Sequence, residues 1–485
     1  MPFSTSITRL IPVFLLVIVV NTSSAQFSDS LKASVGFTGT AASEEYQPLW
    51  SSANRNGTIN DRKVDLSTYL RFSNKHRLFS KDSAGERPRS GLNVDYALEV
   101  YNNDQFNKTF LGLGFLRLEK NGWSLIGGRY IDNPSRLDQT LSSGSLGIST
   151  NALPIPRVGI AVTEFKNIPL TNGWLQFKGS FSHGWMGSDR YLDSWLHEKS
   201  FFLRVGKRKL KLYGGLQHFA EWGGRRPGIS LDRDLQGFIA VLFVHESGDG
   251  GGLPASYRPG RAGDQRGLIE AGFEWENDEI RLHGYNQSPF ETGIGIDVRN
   301  IDRLAGLTLE FKKQTGIRKI LVEFIHTKQM EDYGREVHSY YNNGVYKTGW
   351  EYQERIIGTP LMTNRIRTGY YFPDAGIQPF DWDAPANSIP GSQNILNNRI
   401  VGLHLGLSST LMQVVNSTTR FTYTKNYGTF QQTVYSPSKT QYYAIQEFGF
   451  HLPSTRFDLK VGGAFDFGDL SNNGAFILGA NYRIL

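Results

Sequence analysis

Apolar and polar residues alternate one by one along many stretches of the chain. Leu92, Val94, Tyr96, Leu98 and Val100 share one face, and Asn93, Asp95, Ala97, Glu99 and Tyr101 share the other. A period of two is that of a β-strand, and about ten such residues cross a bilayer at a tilt. The pattern returns at Leu210, Leu212, Gly214, Leu216, at Ile269, Ala271, Phe273, Trp275, and at Ile280 and Leu282. It recurs at Val401 to Leu407, Phe457 to Phe465 and Phe476 to Ile484. Asn121-Gly122, Gly206 to Lys209, Asn277-Asp278, Gln314 to Gly316 and Pro453-Ser454 read as short turns between these strands. Longer polar segments lie at 79–91, 184–199, 246–266, 288–303, 328–398 and 425–441. Short turns on one side and long loops on the other predict an all-β fold: one antiparallel transmembrane β-barrel of about 18 strands. A soluble sandwich also alternates, but strand length, strand number and the N-terminus together favour the barrel. Residues 130–157, with Pro134, Gly144, Gly147, Pro154 and Pro156, fit no strand or helix period. They are expected to form a short helical or looped insert near the periplasmic mouth.

One long apolar run exists. Arg9 precedes eleven apolar residues, Leu10 to Val20, and Ser23-Ser24-Ala25 follow. Eleven residues are too few for a spanning helix, for which about 20 are needed. The order of charge, apolar run and small residues is that of a secretory signal peptide, with cleavage expected after Ala25. The predicted division is therefore 1–25 signal peptide and 26–485 barrel, with 328–398 as a long extracellular loop region. Outer-membrane localisation follows.

Composition agrees with this reading. Gly numbers 53, Phe 31 and Tyr 22, which suits strands and interfacial girdles. The mean hydropathy of −0.36 fits strands with one polar face. The absence of cysteine excludes disulfides, thiolate metal sites and lipidated cysteine. The formal charge is +7, and +6 once Arg9 leaves with the signal. Segment 328–398 carries six Lys/Arg against eight Asp/Glu, so the positive excess lies elsewhere, facing the lumen or lipopolysaccharide phosphates.

Catalytic and nucleotide-binding motifs are missing: there is no P-loop, Gly-x-Ser-x-Gly or His-Glu-x-x-His. His197-Glu198 lacks a second histidine at metal-ligand spacing and reads as a polar pair on a strand. The carboxylate pairs Glu351/Glu354 and Asp381/Asp383 suit a glycosidase only at the right separation in space. The chain is thus read as a non-enzyme with no cofactor, no metal and no nucleic-acid partner.

Four blocks carry a family resemblance. They are Leu141 to Leu146 with Asn151 to Pro156, Trp195 to Arg204, Gly214 to Gly224, and Gly349 to Tyr352 with Arg355 to Pro360. In this order they resemble the Wzi-type capsule assembly proteins. The resemblance implies an outer-membrane barrel of about 18 strands that acts as a lectin for capsular or exported surface polysaccharide. A barrel in that membrane is also expected to contact outer-membrane lipids and lipopolysaccharide. The alternative is a passive porin or sugar-uptake channel, and a third reading is an outer-membrane deacylase or glycan hydrolase.

Strand direction, counted back from Leu485 with both termini in the periplasm, makes 328–398 one extracellular excursion. It holds eleven aromatic residues. Aromatic rings stack on pyranose faces while neighbouring polar side chains bond the hydroxyls. Trp350, Tyr352, Arg355 and Trp382, with Tyr340 and Tyr341, are therefore the expected polysaccharide-binding residues at the surface. Trp222 and Arg225 are weaker candidates. The competing reading is that these rings pack the loop itself.

Overall fold

The computed structural model describes residues 31–78, 91–187, 193–226, 228–252, 260–291, 299–312, 316–330, 339–377, 393–430 and 434–485. The expected signal peptide and Trp382 lie outside these residues, as do Asp381 and Asp383. Eighteen strands form one antiparallel sheet. In chain order the first nine are β1 (Lys32–Tyr46), β2 (Arg62–Leu78), β3 (Leu92–Asn103), β4 (Lys108–Lys120), β5 (Trp123–Arg129), β6 (Pro156–Asn167), β7 (Leu175–Gly187), β8 (Ser194–Val205) and β9 (Leu210–Gly223). The rest are β10 (Asp264–Glu276), β11 (Ile280–Phe290), β12 (Arg303–Phe311), β13 (Gly316–His326), β14 (Ile400–Leu411), β15 (Val415–Asn426), β16 (Lys439–His451), β17 (Phe457–Gly468) and β18 (Asn473–Arg483). Each strand pairs with its sequence neighbour, and β1 closes on β18 from Ser34↔Arg483 to Ala42↔Ala475. Closure removes every sheet edge, as a bilayer without water requires.

Local chemistry explains the turns. Asn121 and Gly122 both take positive φ, 53° and 80°, the backbone of a two-residue turn that matches strand twist. This turn shares one end of the barrel with 206–209, 277–279, 412–414, 452–456 and both ends of the strand series. That end is periplasmic by the short-turn habit of such barrels. Leu70, Phe72, Leu212, Leu216, Phe324, Leu403, Leu405 and Phe476 are exposed on the outer wall. Their sequence neighbours face the lumen.

Several boundaries move. The link expected near Ser409 is Met412-Gln413-Val414, because Ser409 still pairs with Ser417 inside the β14–β15 ladder. Segments 184–199, 246–266 and 288–303 are partly strand, and there Glu198 faces the lumen while His197, Lys199 and Gln265 face outward. Segment 79–91 joins β2 to β3 at the periplasmic end, where Leu78 pairs with Leu92. The insert 130–157 is corrected too. It leaves β5 and enters β6 at the extracellular end, because β5 runs outward from the Asn121-Gly122 turn; Pro156 and Arg157 already belong to β6.

The hydrophobic core sits inside the barrel. The described residues of three extracellular connectors, 47–61, 130–155 and 327–399, fold back into the lumen. Leu49, Trp50, Leu146, Leu153, Trp350, Ile357 and Ile395 pack there against inward-facing Phe219, Leu268, Leu304, Ile325, Ile445 and Ile477. Polar wall residues hold the plug's backbone. Glu323 accepts from Ser142 Oγ at 2.6 Å and from the Ser143 amide at 2.7 Å. Gln287 accepts from the Leu146 amide at 3.1 Å, and Asp466 from the Leu49 amide at 2.9 Å. Irregular backbone at membrane depth is tolerated where protein surrounds it and satisfies it.

Candidate functional site

The described residues of 339–398 are the largest part of the plug, and they hold four of the rings expected to bind sugar, Tyr340, Tyr341, Trp350 and Tyr352. Among these described residues the β-structure is confined to two short pairings, Glu351–Tyr352 with Arg355–Ile356 and Thr363–Asn364 with Ile395–Asn397. Gln353 and Glu354 turn the first of these with positive φ, 51° and 64°. This small hairpin carries Tyr352 and Arg355 down toward the other two connectors.

The expectation that these rings stand at the surface is corrected. Trp350 is 0 % exposed. Its Nε1 donates to the Gly147 carbonyl at 2.6 Å, Phe219 packs at 5.8 Å between centroids, and the Arg266 guanidinium lies 4.7 Å from its ring. Tyr340, Tyr341 and Tyr352 are also buried. Tyr340 donates to Asp302 at 2.9 Å, and Tyr341 to the Leu146 carbonyl at 2.6 Å. Tyr352 receives a hydrogen bond from Arg129 at 3.3 Å. Arg355 donates to the Ile59 carbonyl at 2.6 Å and pairs with Asp61 at 3.4 Å, tying the third connector to the first. The physical reason is burial: a segment rich in rings gains more by filling an apolar lumen than by facing water.

Tyr340, Tyr341 and Trp350 gather around Arg266, with Glu291 beside it. Arg266 pairs with Glu291 at 3.2 Å and with Asp264, and the Tyr341 amide donates to Glu291 at 2.7 Å. Burial pushes the Glu291 carboxyl up, with Arg266 opposing the rise and Asp264 adding to it. A cavity of about 20 Å3 lies here, lined by Phe219, Arg266, Phe290, Glu291, Tyr340 and Tyr341 among others. That is room for about one water, not for a sugar ring.

The accessible groups lie higher. At the extracellular end Arg399 stacks its guanidinium 3.7 Å from the ring of Phe430, and Phe430 is 50 % exposed. Arg399 Nε donates to the Lys328 carbonyl at 3.0 Å, and Lys328 Nζ lies 4.6 Å from the Tyr427 ring. Sequence alone missed this group, because its members come from two different loops and only the fold brings them together. Trp222 faces outward from the wall against Trp195 at 4.6 Å, away from the plug. Arg225 follows it in the loop and is exposed. The remaining pairs are structural. Glu198 forms a buried ion pair with Arg157 at 2.7 Å, and Glu351 accepts from Asn364 at 2.7 Å. Among the described residues no group of three His, Asp or Glu side chains is placed to hold a metal.

A family model described as "Capsule assembly protein Wzi" matches residues 96–367, more than half of the chain. The chain belongs to the Wzi capsule assembly family. All four sequence blocks lie inside the matched range, and the structure shows what two of them do. Ser142 and Ser143 bond Glu323, and Trp350 bonds Gly147, so Wzi-like residues join plug to wall and plug to plug. A solved outer-membrane Wzi of Escherichia coli, involved in group 1 capsule assembly and described as a carbohydrate-binding β-barrel, is similar in fold. It has TM-score 0.53 and 11% identity over 93% of this chain and 84% of that one. Pseudomonas aeruginosa OccK5 has TM-score 0.45 and 9% identity, covering 94% and 99%. OpdQ of the same organism has TM-score 0.46 and 10% identity, covering 95% and 99%. No curated protein matches the chain.

Proposed function

We propose that this protein binds capsular or exported polysaccharide at the cell surface and anchors it there, as a lectin and not as an enzyme. The observation that carries the reading is the filled lumen. Three connectors bonded to the wall turn the extracellular mouth into a fixed platform, and a preorganised surface loses little entropy when a chain docks on it. The carbohydrate binding described for the Escherichia coli relative supports the same reading.

The expected site residues take two roles in this proposal. Trp350, Tyr352, Arg355, Tyr340 and Tyr341 form the floor that holds the platform in shape. Contact with sugar falls to exposed Phe430 with half-buried Arg399, and to Trp382. An exposed ring stacks on a pyranose face, and the guanidinium bonds hydroxyls or carboxylates. Export through the N-terminal signal, with a mature start at Gln26, belongs to the same proposal, as does lipopolysaccharide around the barrel.

Polysaccharide retention on cells tests the reading. Phe430→Ala, Arg399→Ala and Trp382→Ala are expected to insert normally, shown by heat-dependent gel mobility, and to retain less polysaccharide. Trp350→Ala is expected to lose retention together with plug stability. Normal retention by all four would place the site elsewhere. Large stable channels from the parent protein would favour a porin instead.

A further inference from the structure

The loop between β9 and β10 contains a helix, Leu235–Phe243, that lies outside the barrel. Phe219 and Leu268 face the plug, so the alternate residues Ala220, Trp222 and Gln265 face outward. The helix packs on that outer face: Ala240 and Val241 cluster with Ala220, Trp222 and Ala262. Phe238 sits 5.5 Å from Trp222 and 5.7 Å from His197 between ring centroids.

What lies beneath the helix is unusual for a lipid-facing wall. The outward positions of β7, β8, β9 and β10 here are His183, His197, Lys199, His218 and Gln265. The outward residues deeper on the same strands are apolar and exposed: Phe201, Leu203, Leu212 and Leu216. Charged side chains on the lipid face of a barrel are destabilising by an amount that grows with depth. The helix removes the residues beneath it from that face, leaving His197 at 0 % and His218 at 4 % exposure.

The helix itself is built for an apolar surrounding. Its sequence, LQGFIAVLF, has no charge. Leu235, Ile239 and Phe243, spaced four apart, form one stripe pointing away from the barrel and are 73, 44 and 62 % exposed. Each end has a protein partner. Asp234 accepts from the Gly237 amide at 2.8 Å, and Lys199 Nζ donates to the Leu242 carbonyl. Unsatisfied backbone groups are costly in lipid, so such caps are what an immersed helix needs.

We infer that the helix Leu235–Phe243 is a membrane-embedded cover: its Leu235–Ile239–Phe243 stripe contacts acyl chains of the outer leaflet and continues the barrel's lipid-facing belt across a polar stretch of wall. Continuity fixes the occupant. Trp185, Trp195 and Trp222 lie in one register row beside the helix, an aromatic row of the kind found at bilayer interfaces. Exposed Trp185, Phe201 and Leu216 flank the helix on the same wall.

The chain has no cysteine, so single labels are clean. Ile239→Cys and Phe243→Cys carry a fluorescent label in phospholipid vesicles, with insertion checked by gel mobility. Phe201→Cys on the outer wall is the lipid reference, and Asp374→Cys in the exposed plug rim is the water reference. Nitroxide-bearing acyl chains are expected to quench positions 239 and 243 to within about twofold of position 201, with iodide quenching well below position 374. Quenching by iodide to the level of position 374 would overturn the inference. Protection from both quenchers would overturn it too, because the stripe would then be covered by a second copy or another part of the chain.

Discussion

The two halves of the lumen use the same residue types to opposite ends. In the extracellular half, the ion pairs that the plug covers are dry. Arg157 and Glu198 pair at 2.7 Å with side chains 3 and 7 % exposed. In the periplasmic half the ions form a wet ladder. Arg281 spans Glu276 at 3.3 Å and Glu310 at 3.4 Å, yet stays half exposed. A buried pair that loses one partner strands a charge at a cost of about 3–5 kcal/mol, whereas an exposed pair contributes about 0–1 kcal/mol. The difference lies in the plug, which dries one half of a single set of strands and leaves the other to solvent.

The largest expected effect comes from removing that difference. The parent is expected to conduct little in planar bilayers, and replacing 331–398 with a short turn should open a channel. A silent bilayer with the correctly inserted deletion variant would mean that the other two connectors seal the barrel alone. Next comes the dry half. Glu198→Ala should destabilise the barrel by about 3–5 kcal/mol, and Trp350→Ala by a similar amount, because each leaves an uncompensated charge or a cavity. Arg281→Ala should cost at most about 1 kcal/mol. Denaturant midpoints of the gel-mobility shift compare the three. Equal shifts would erase the distinction between the halves.

The periplasmic half and the outer wall were the legible parts of the sequence. In β10 and β11, Glu270, Glu274 and His283 alternate with Ile269, Phe273 and Leu282, and the strands fall where alternation puts them. The plug was hidden for a physical reason. Where both faces of a strand are covered, alternation fades, as in Ile320-Leu321-Val322, and an apolar run reads the same whether it meets plug or lipid. Sequence parity placed 328–398 on the extracellular side, and the structure agrees on where it leaves the wall. It could not show that the segment turns inward, because eleven aromatic residues suit a sugar platform and a core equally well. The bond of Trp350 to Gly147, 203 residues away, decides that question, and no local pattern encodes it. The helix over β8 and β9 was obscured as well, since nine residues without charge are short for a helical period.

Another small effect tests how the second connector is fastened to the wall. Asp138 accepts from the Thr140 amide at 2.9 Å, Thr140 Oγ1 at 2.7 Å and the Leu141 amide at 3.0 Å. It also pairs with Lys319 of the wall at 2.9 Å. Burial alone would raise its pKa, but the bonds from Thr140 and Lys319 outweigh burial and hold the carboxyl below its ordinary value. A lowered pKa means that folding favours the charged form. The stabilisation is therefore complete above about pH 4, the ordinary aspartate value, and fades as pH falls through the lowered one. Asp138→Asn should be less stable than the parent by on the order of 1 kcal/mol at pH 7. The gap should narrow as the pH is taken below the ordinary aspartate range and the parent carboxyl takes up a proton. Thermal midpoints of the gel-mobility shift at the two pH values measure both gaps. An undiminished gap at low pH would show that Asp138 fastens the connector by shape and not by charge.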